Sequence, residues 1–190
     1  MADIVDSSLT DNYSWAYAIR NYHPSSTTSS SGIGQSFIPL KNYKLTRADF
    51  KLYKTKSPTT SLYAELYLAN INHFPTGSAL ATSNAFASSS LTATPTLIEF
   101  DFPIPYQMTS GIEYVIICRS GTDGTIDNTN MVGSDIALDT NPHSGYMCYY
   151  VSSAWARLAG SDDDICFVVY GTLSKGGASI IHLMEEMAFG

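Results

Sequence analysis

Charge is scarce in this sequence. Only 14% of its residues are Asp, Glu, Lys or Arg, against roughly 25% in an ordinary soluble domain. Ten Lys and Arg face seventeen Asp and Glu, for a net charge of −7. No basic run offers the patch that phosphate neutralisation requires, which excludes a nucleic-acid partner. Long apolar runs are missing too. The longest, such as "YVIIC", are strand-sized, far short of the ~20 residues that span a bilayer, so no membrane span is expected. The opening "MADIVDSSLT" has neither a basic nor an apolar signal region, and synthesis in the cytoplasm without a signal peptide follows as the expectation. Cysteine is sparse and odd in number: Cys118, Cys148 and Cys166 each sit in an apolar, strand-like run. Buried free thiols are expected, with a Cys118–Cys166 disulfide as the sharper alternative that a reducing compartment disfavours. Finally, no long helical period occurs before residue 178.

Catalytic and metal-binding signatures are equally absent. His23, His73, His143 and His182 lie far from one another, and His143 with Cys148, five residues on, is an isolated pair, so no complete zinc-type pattern exists. There is no nucleophile elbow, phosphate loop or dinucleotide fingerprint. A carboxylate pair for glycoside hydrolysis would have to be assembled across strands from residues such as Glu65, Glu99 and Asp101. These three fall on expected solvent faces, and the chain is read as not an enzyme. No cofactor is expected. The oxygen-rich "SDDDI" (Asp162, Asp163, Asp164) and "GTDGTIDNTN" are the segments that would suit Ca²⁺, but solvated turn residues are the plainer reading.

What the sequence does have is alternation. In "LTRADFKLYK", Ala48, Phe50 and Leu52 alternate with Arg47, Asp49 and Lys51, the period-2 signature of a half-buried antiparallel strand. "SLYAELYL" sets Leu62, Ala64, Leu66 and Leu68 against Tyr63, Glu65 and Tyr67. "LIEFDF" sets Ile98, Phe100 and Phe102 against Glu99 and Asp101. "EYVIICR" and "DDDICFVVYGT" are apolar on both faces and read as central strands, while "GYMCYYV" and "WARLAG" read as a hairpin. "ANINHFPTGSALATSNAFASSSLTATPT" reads as a long connection with a short strand near Leu80. Tyr114 opens a strand three residues after Gly111, as in a tyrosine corner. About eight or nine strands result, and an all-β, antiparallel two-sheet jelly roll accommodates them best. The expected organisation is an irregular N-terminal arm and Ser/Thr-rich loop over 1–34, the sandwich over 35–172, and a hinge with a short helical tail over 173–190.

Thirteen tyrosines outnumber the Lys and Arg. On a weakly charged surface they suit a subunit interface or the stacking of sugar rings. The aromatic arm, with Tyr13, Trp15 and Tyr17, is assigned to the interface. The outward-facing strand tyrosines are assigned to the interface as well, in preference to sugar stacking, and Trp155 is the candidate glycan contact. In the tail, Ile180, Leu183, Met184 and Met187 fall at i, i+3, i+4 and i+7 after the Gly176–Gly177 hinge, giving one apolar helical face that must dock. It is read as an attachment segment for a neighbouring protein.

The segments "GQSFIP", "YKLTRADFKLYK", "LYAELYLA", "FPTGSALATS", "LIEFDFPIPYQMTSGIEYVIICR" and "CFVVYGT" together resemble the choice-of-anchor domains of the R type. These are carbohydrate-binding-module-like jelly rolls found on prokaryotic surface proteins and in phage and viral structural proteins. The resemblance spans about Gln35–Thr172 and carries no catalytic residue. Without a secretion signal, it implies a structural protein at the virion surface: a capsid decoration or cement protein, a spike or a fibre component. The expected partners are further copies of itself, most simply a trimer, another virion structural protein, and a host-surface glycan. The alternative function is a carbohydrate-binding adhesion module.

Overall fold

The computed structural model describes residues 2–8, 16–19, 32–123, 131–137, 145–151, 154–157 and 164–174. They form fourteen strands: β1 (Asp3–Ser8), β2 (Ala16–Ile19), β3 (Ile33–Phe37), β4 (Tyr43–Lys54), β5 (Ser61–Ala69), β6 (Pro75–Thr82), β7 (Phe86–Ala87), β8 (Thr96–Met108), β9 (Tyr114–Ser120), β10 (Val132–Ala137), β11 (Met147–Val151), β12 (Ala154–Ala156), β13 (Asp164–Ile165) and β14 (Phe167–Leu173). All pairings are antiparallel. The first sheet runs β1-β14-β4-β10-β13, with β8 on the other edge of β4 and β2 on β10. The second runs β12-β11-β3-β9-β5-β6, with β7 also on β5. The chain alternates between the sheets over β3–β4–β5 and again over β8–β9–β10–β11, and the expected all-β two-sheet fold is the one observed.

Alternation sets the core. Ala48, Phe50 and Leu52 of β4, Leu62, Ala64 and Leu66 of β5, and Phe100 and Phe102 of β8 all point between the sheets and are buried. Phe50 meets Phe100 edge-on at 5.8 Å between ring centroids, the arrangement aromatic quadrupoles prefer. The Tyr114 hydroxyl accepts a bond from the Thr109 amide at 3.0 Å, so the tyrosine corner is present. All three cysteines are buried and free.

One polar link crosses the core. Gln35 of β3 is fully buried; its Nε2 donates to Asp164 Oδ1 at 2.5 Å, and its Oε1 accepts from the Ile165 amide at 3.0 Å. It ties the second sheet to β13 of the first. Asp164 is thus a buried acceptor rather than the solvated turn residue expected from "SDDDI"; Asp162 and Asp163 lie outside the described residues.

Other expectations need correction. The N-terminal segment is not wholly irregular: β1 adds to β14 and β2 to β10. Strands pair where an edge stands open, and a hydroxyl-rich edge strand gives little alternation. The connection after β5 holds the eight-residue β6, and β10 was not expected at all. The tail carrying Ile180, Leu183, Met184 and Met187 lies outside the described residues, as do Tyr13 and Trp15. Tyr17 is placed in β2, its backbone opposite Ser134; its side chain is outside the described residues.

Asp49 was also expected on a solvent face, yet it is 3% exposed. Arg47 covers it, with Nε 2.9 Å from Asp49 Oδ1 and Nη1 3.0 Å from Glu99 Oε1, while the guanidinium lies 4.0 Å over the Tyr170 ring. Burial raises the Asp49 carboxyl to about 6, with the Arg47 charge opposing it. Because the folded value lies above the unfolded one, the folded chain holds this proton more tightly. The stabilisation is complete below about pH 4 and is lost as pH rises to about 6. The stability of the wild type relative to Asp49→Asn should therefore fall across that window and level off above it. Urea unfolding at a series of pH values checks this; a difference that is flat from pH 4 to 6 would refute it.

Candidate functional site

The outward face of the second sheet carries a cleft of about 690 Å³. Its floor follows from strand register. On β5, Tyr63, Glu65 and Tyr67 alternate outward, opposite Arg119, Ile117 and Val115 of β9. Val115 and Ile117 are fully buried although they face away from the main core. With Cys148 of β11 they form a second apolar cluster, against which Tyr67, Phe74 and Trp155 pack. Gly34 makes this closure possible: a Cβ there would stand 2.6 Å from Ile117 Cγ2 and 3.0 Å from Cys148 Sγ. Burial pushes the Cys148 thiol well above its usual range, so it serves as apolar filling rather than as a nucleophile.

Three aromatic side chains line the cleft: Tyr63, Tyr67 and Trp155, each half-buried. Trp155 is held edge-on to Tyr150, with centroids 5.3 Å apart. β6 supplies one wall through Pro75, Gly77 and Ser78. Gly77 has φ +73°, a backbone state in which a side chain would be strained.

The polar groups are held in place as well. Glu65 is 5% exposed, contrary to the solvent face expected for it. Its Oε1 accepts from Arg119 Nη2 at 2.5 Å, and its Oε2 from the Tyr67 hydroxyl at 2.8 Å. Arg119 also lies 4.9 Å from the centre of the Tyr63 ring. One carboxylate thus fixes the cation and a ring of the floor, while the cation fixes another ring. At the far rim, Asp123 accepts from the Thr60 hydroxyl and the Ser61 amide at 3.0 Å each, and from the Ser61 hydroxyl at 2.5 Å. These bonds lower its carboxyl to about 2, so it is ionised at any ordinary pH. Gly121 lets the rim pass: a Cβ there would lie 2.7 Å from Asp123 Oδ1 and 3.1 Å from Tyr63.

The sequence reading put the outward tyrosines at a subunit interface and Trp155 at a glycan contact; the structure brings Tyr63, Tyr67 and Trp155 together in one cleft. Arg119, Gly121 and Asp123 were not anticipated. Their membership follows from the pairing of Tyr63 with Arg119, which no local spacing reveals. Among the described residues, no group of three or more His, Cys, Asp or Glu is placed to hold a metal ion, and no helix is long and apolar enough to cross a membrane.

No protein-family profile matches the chain, and no curated protein matches it. Among solved structures, a CocE/NonD family hydrolase from Staphylococcus aureus aligns with 90% of this chain and 35% of its own, at 11% identity and a TM-score of 0.34. The infectious bursal disease virus Gx strain structure aligns with 99% of this chain and 53% of its own, at 12% identity and a TM-score of 0.27. The chain thus spans about a third of the hydrolase's length. The expectation that the chain is not an enzyme is corrected by the hydrolase match and is withdrawn. That expectation rested on local motifs, and catalytic groups assembled across strands leave none. A likeness of this degree assigns no reaction to the chain.

The Glu65–Arg119 pair gives a direct test of the site's construction. Glu65→Leu leaves the guanidinium without this carboxylate and the Tyr67 hydroxyl without this acceptor. A loss of about 2–4 kcal/mol is expected, measured by urea unfolding. A variant as stable as the wild type would show that the pair does not organise the cleft.

Proposed function

We propose that this chain is a carbohydrate-binding β-sandwich and that the cleft on its second sheet is the saccharide site. The observation that carries this reading is the meeting of Tyr63, Tyr67 and Trp155 with Arg119, Glu65 and Asp123 in one open cleft. A pyranose ring has apolar faces and a hydroxyl-bearing edge. Aromatic rings match the faces, and charged groups with fixed geometry match the edge. The rings are already packed, so little side-chain entropy remains to be lost on binding. Two carboxylates and one guanidinium line the cleft of a chain of net charge −7, which favours a neutral saccharide over an acidic one. The wild type should retain neutral oligosaccharides on a glycan array. Trp155→Ala and Tyr63→Ala should each weaken the best of these by about tenfold or more in titration calorimetry, as loss of a buried aromatic anchor does. Retention of no saccharide, or full affinity in Trp155→Ala, would overturn the reading.

A second proposal concerns where such a module works. The apolar stripe of the tail and the resemblance to choice-of-anchor domains favour a structural component of a virus or phage particle, self-associating and attached through its terminal segments. Truncation after Lys175 should leave the β-sandwich folded and abolish incorporation into the particle. Normal occupancy by the truncated chain, scored by electron microscopy, would remove this proposal.

A further inference from the structure

The groups that line the cleft are spaced along one strand. β5 pairs with β9 without a break from Leu62 to Leu68, so its outward positions recur every ~6.7 Å. Consecutive outward positions carry the site. Ser61 holds the Asp123 carboxylate by donating from its amide and its hydroxyl. Tyr63 presents a ring, Glu65 its ion pair with Arg119, and Tyr67 a second ring. Within the pair the carboxylate is the buried member, and the Arg119 side chain, 22% exposed, is the one that meets the cleft. From Ser61 to Tyr67 the backbone runs ~20 Å. The walls follow the same line. Ala81 of β6 pairs with Leu66 and Thr76 with Leu68, so Gly77–Leu80 stand opposite Tyr67 alone. A bulge of this kind bends a strand out of its ladder, and here it supplies Gly77 and Ser78 to one wall. Sheet order puts Trp155, from β12, on the opposite side of β5. The cleft is therefore a groove that follows β5.

We propose that this groove takes a linear neutral glycan several units long, lying along β5, with one unit stacked at Tyr63 and another at Tyr67. The inference rests on the saccharide reading above and adds the form of the ligand. Spacing carries it. A pyranose in an extended chain advances by a little less than one two-residue step of the strand. A single unit can therefore reach one ring and an adjoining polar group, but not both rings. A chain reaches all of them, and its units meet ring, ion pair and ring in turn. Stacking takes the apolar face of a unit, and the charged groups between the rings take the hydroxyl-bearing edges. The volume agrees. At about 690 Å³ the cleft falls in the upper half of the ~300–1,000 Å³ range of sites that enclose drug-sized ligands, which suits a chain rather than one sugar. The floor is fixed before binding, because Glu65 holds both Arg119 and the Tyr67 hydroxyl. Each further unit thus meets groups already in place, and affinity accumulates with length.

The test is titration calorimetry of the full chain with linear glucans, mannans and galactans, each series running from monosaccharide to hexasaccharide. In the series bound best, the trisaccharide should bind about tenfold or more tighter than the monosaccharide. Tyr67→Ala should remove most of that gain, and Tyr67→Phe, which keeps the ring, should retain it. A second measurement needs no variant: saturation-transfer NMR on the wild type should show contact at both terminal units of the bound trisaccharide. Equal affinity for monosaccharide and trisaccharide, a gain unchanged in Tyr67→Ala, or saturation confined to one unit would overturn the extended site and leave the saccharide reading standing. No binding to any series, with none on the glycan array, would remove both.

Discussion

The structure turns on one strand buried on both faces. Ile116 and Cys118 of β9 point into the space between the sheets, while Val115 and Ile117 point outward, and all four are fully buried. A sheet face that carries such residues cannot be left in water. Each buried large aliphatic side chain is worth about 1.5–3 kcal/mol. The outward pair must therefore be covered by something other than a second sheet. The cover consists of Trp155, Phe74 and Tyr67. Covering side chains of this size cannot lie flush over neighbouring strands, and the space left between them and β6 is the cleft. The candidate site is thus a consequence of satisfying β9.

Two buried carboxylates make the arrangement specific. Apolar packing tolerates sliding; a hydrogen bond inside the fold does not, because an unpaired group there costs about 1–3 kcal/mol. Asp164, held by Gln35, fixes how β13 lies over β3 and so how the two sheets stack. Glu65, held by Arg119 and Tyr67, fixes the cleft floor. Asp49 differs in kind. Its ionised form is opposed by burial and only partly compensated by Arg47, so it marks a place where neighbouring side chains close over a charge.

Much of this was legible before any coordinates. The alternation in β4, β5 and β8 assigned the core-facing side chains correctly, since period 2 depends only on the chain itself. Ala48, Phe50, Leu62, Ala64 and Phe100 needed no partner to be recognised. Their neighbours Asp49 and Glu65 were placed in solvent, because what closes over them depends on distant positions in the chain: Tyr170, under the Arg47 guanidinium that covers Asp49, and Arg119 for Glu65. Strands β1 and β10 escaped, and β6 was expected only as a short strand near Leu80, for a related reason. Their sequences are rich in Ser, Thr, Gly and Asp, and an open edge beside them, rather than their own pattern, makes them strands. Leu68 shows the limit of parity from the other side: it follows the core-facing register yet is 41% exposed, at a register shift in the β5–β6 pairing.

The way the cleft is built bears on what it could recognise. The cleft is rigid and directional. Its rim loop is tied by Asp123 to Thr60 and Ser61, its cation is locked to a carboxylate, and its rings are packed from behind. A ligand whose polar groups missed these positions would leave a fixed donor or acceptor unsatisfied. Such a site needs a stiff sheet behind it, which β3, β9 and β5 supply.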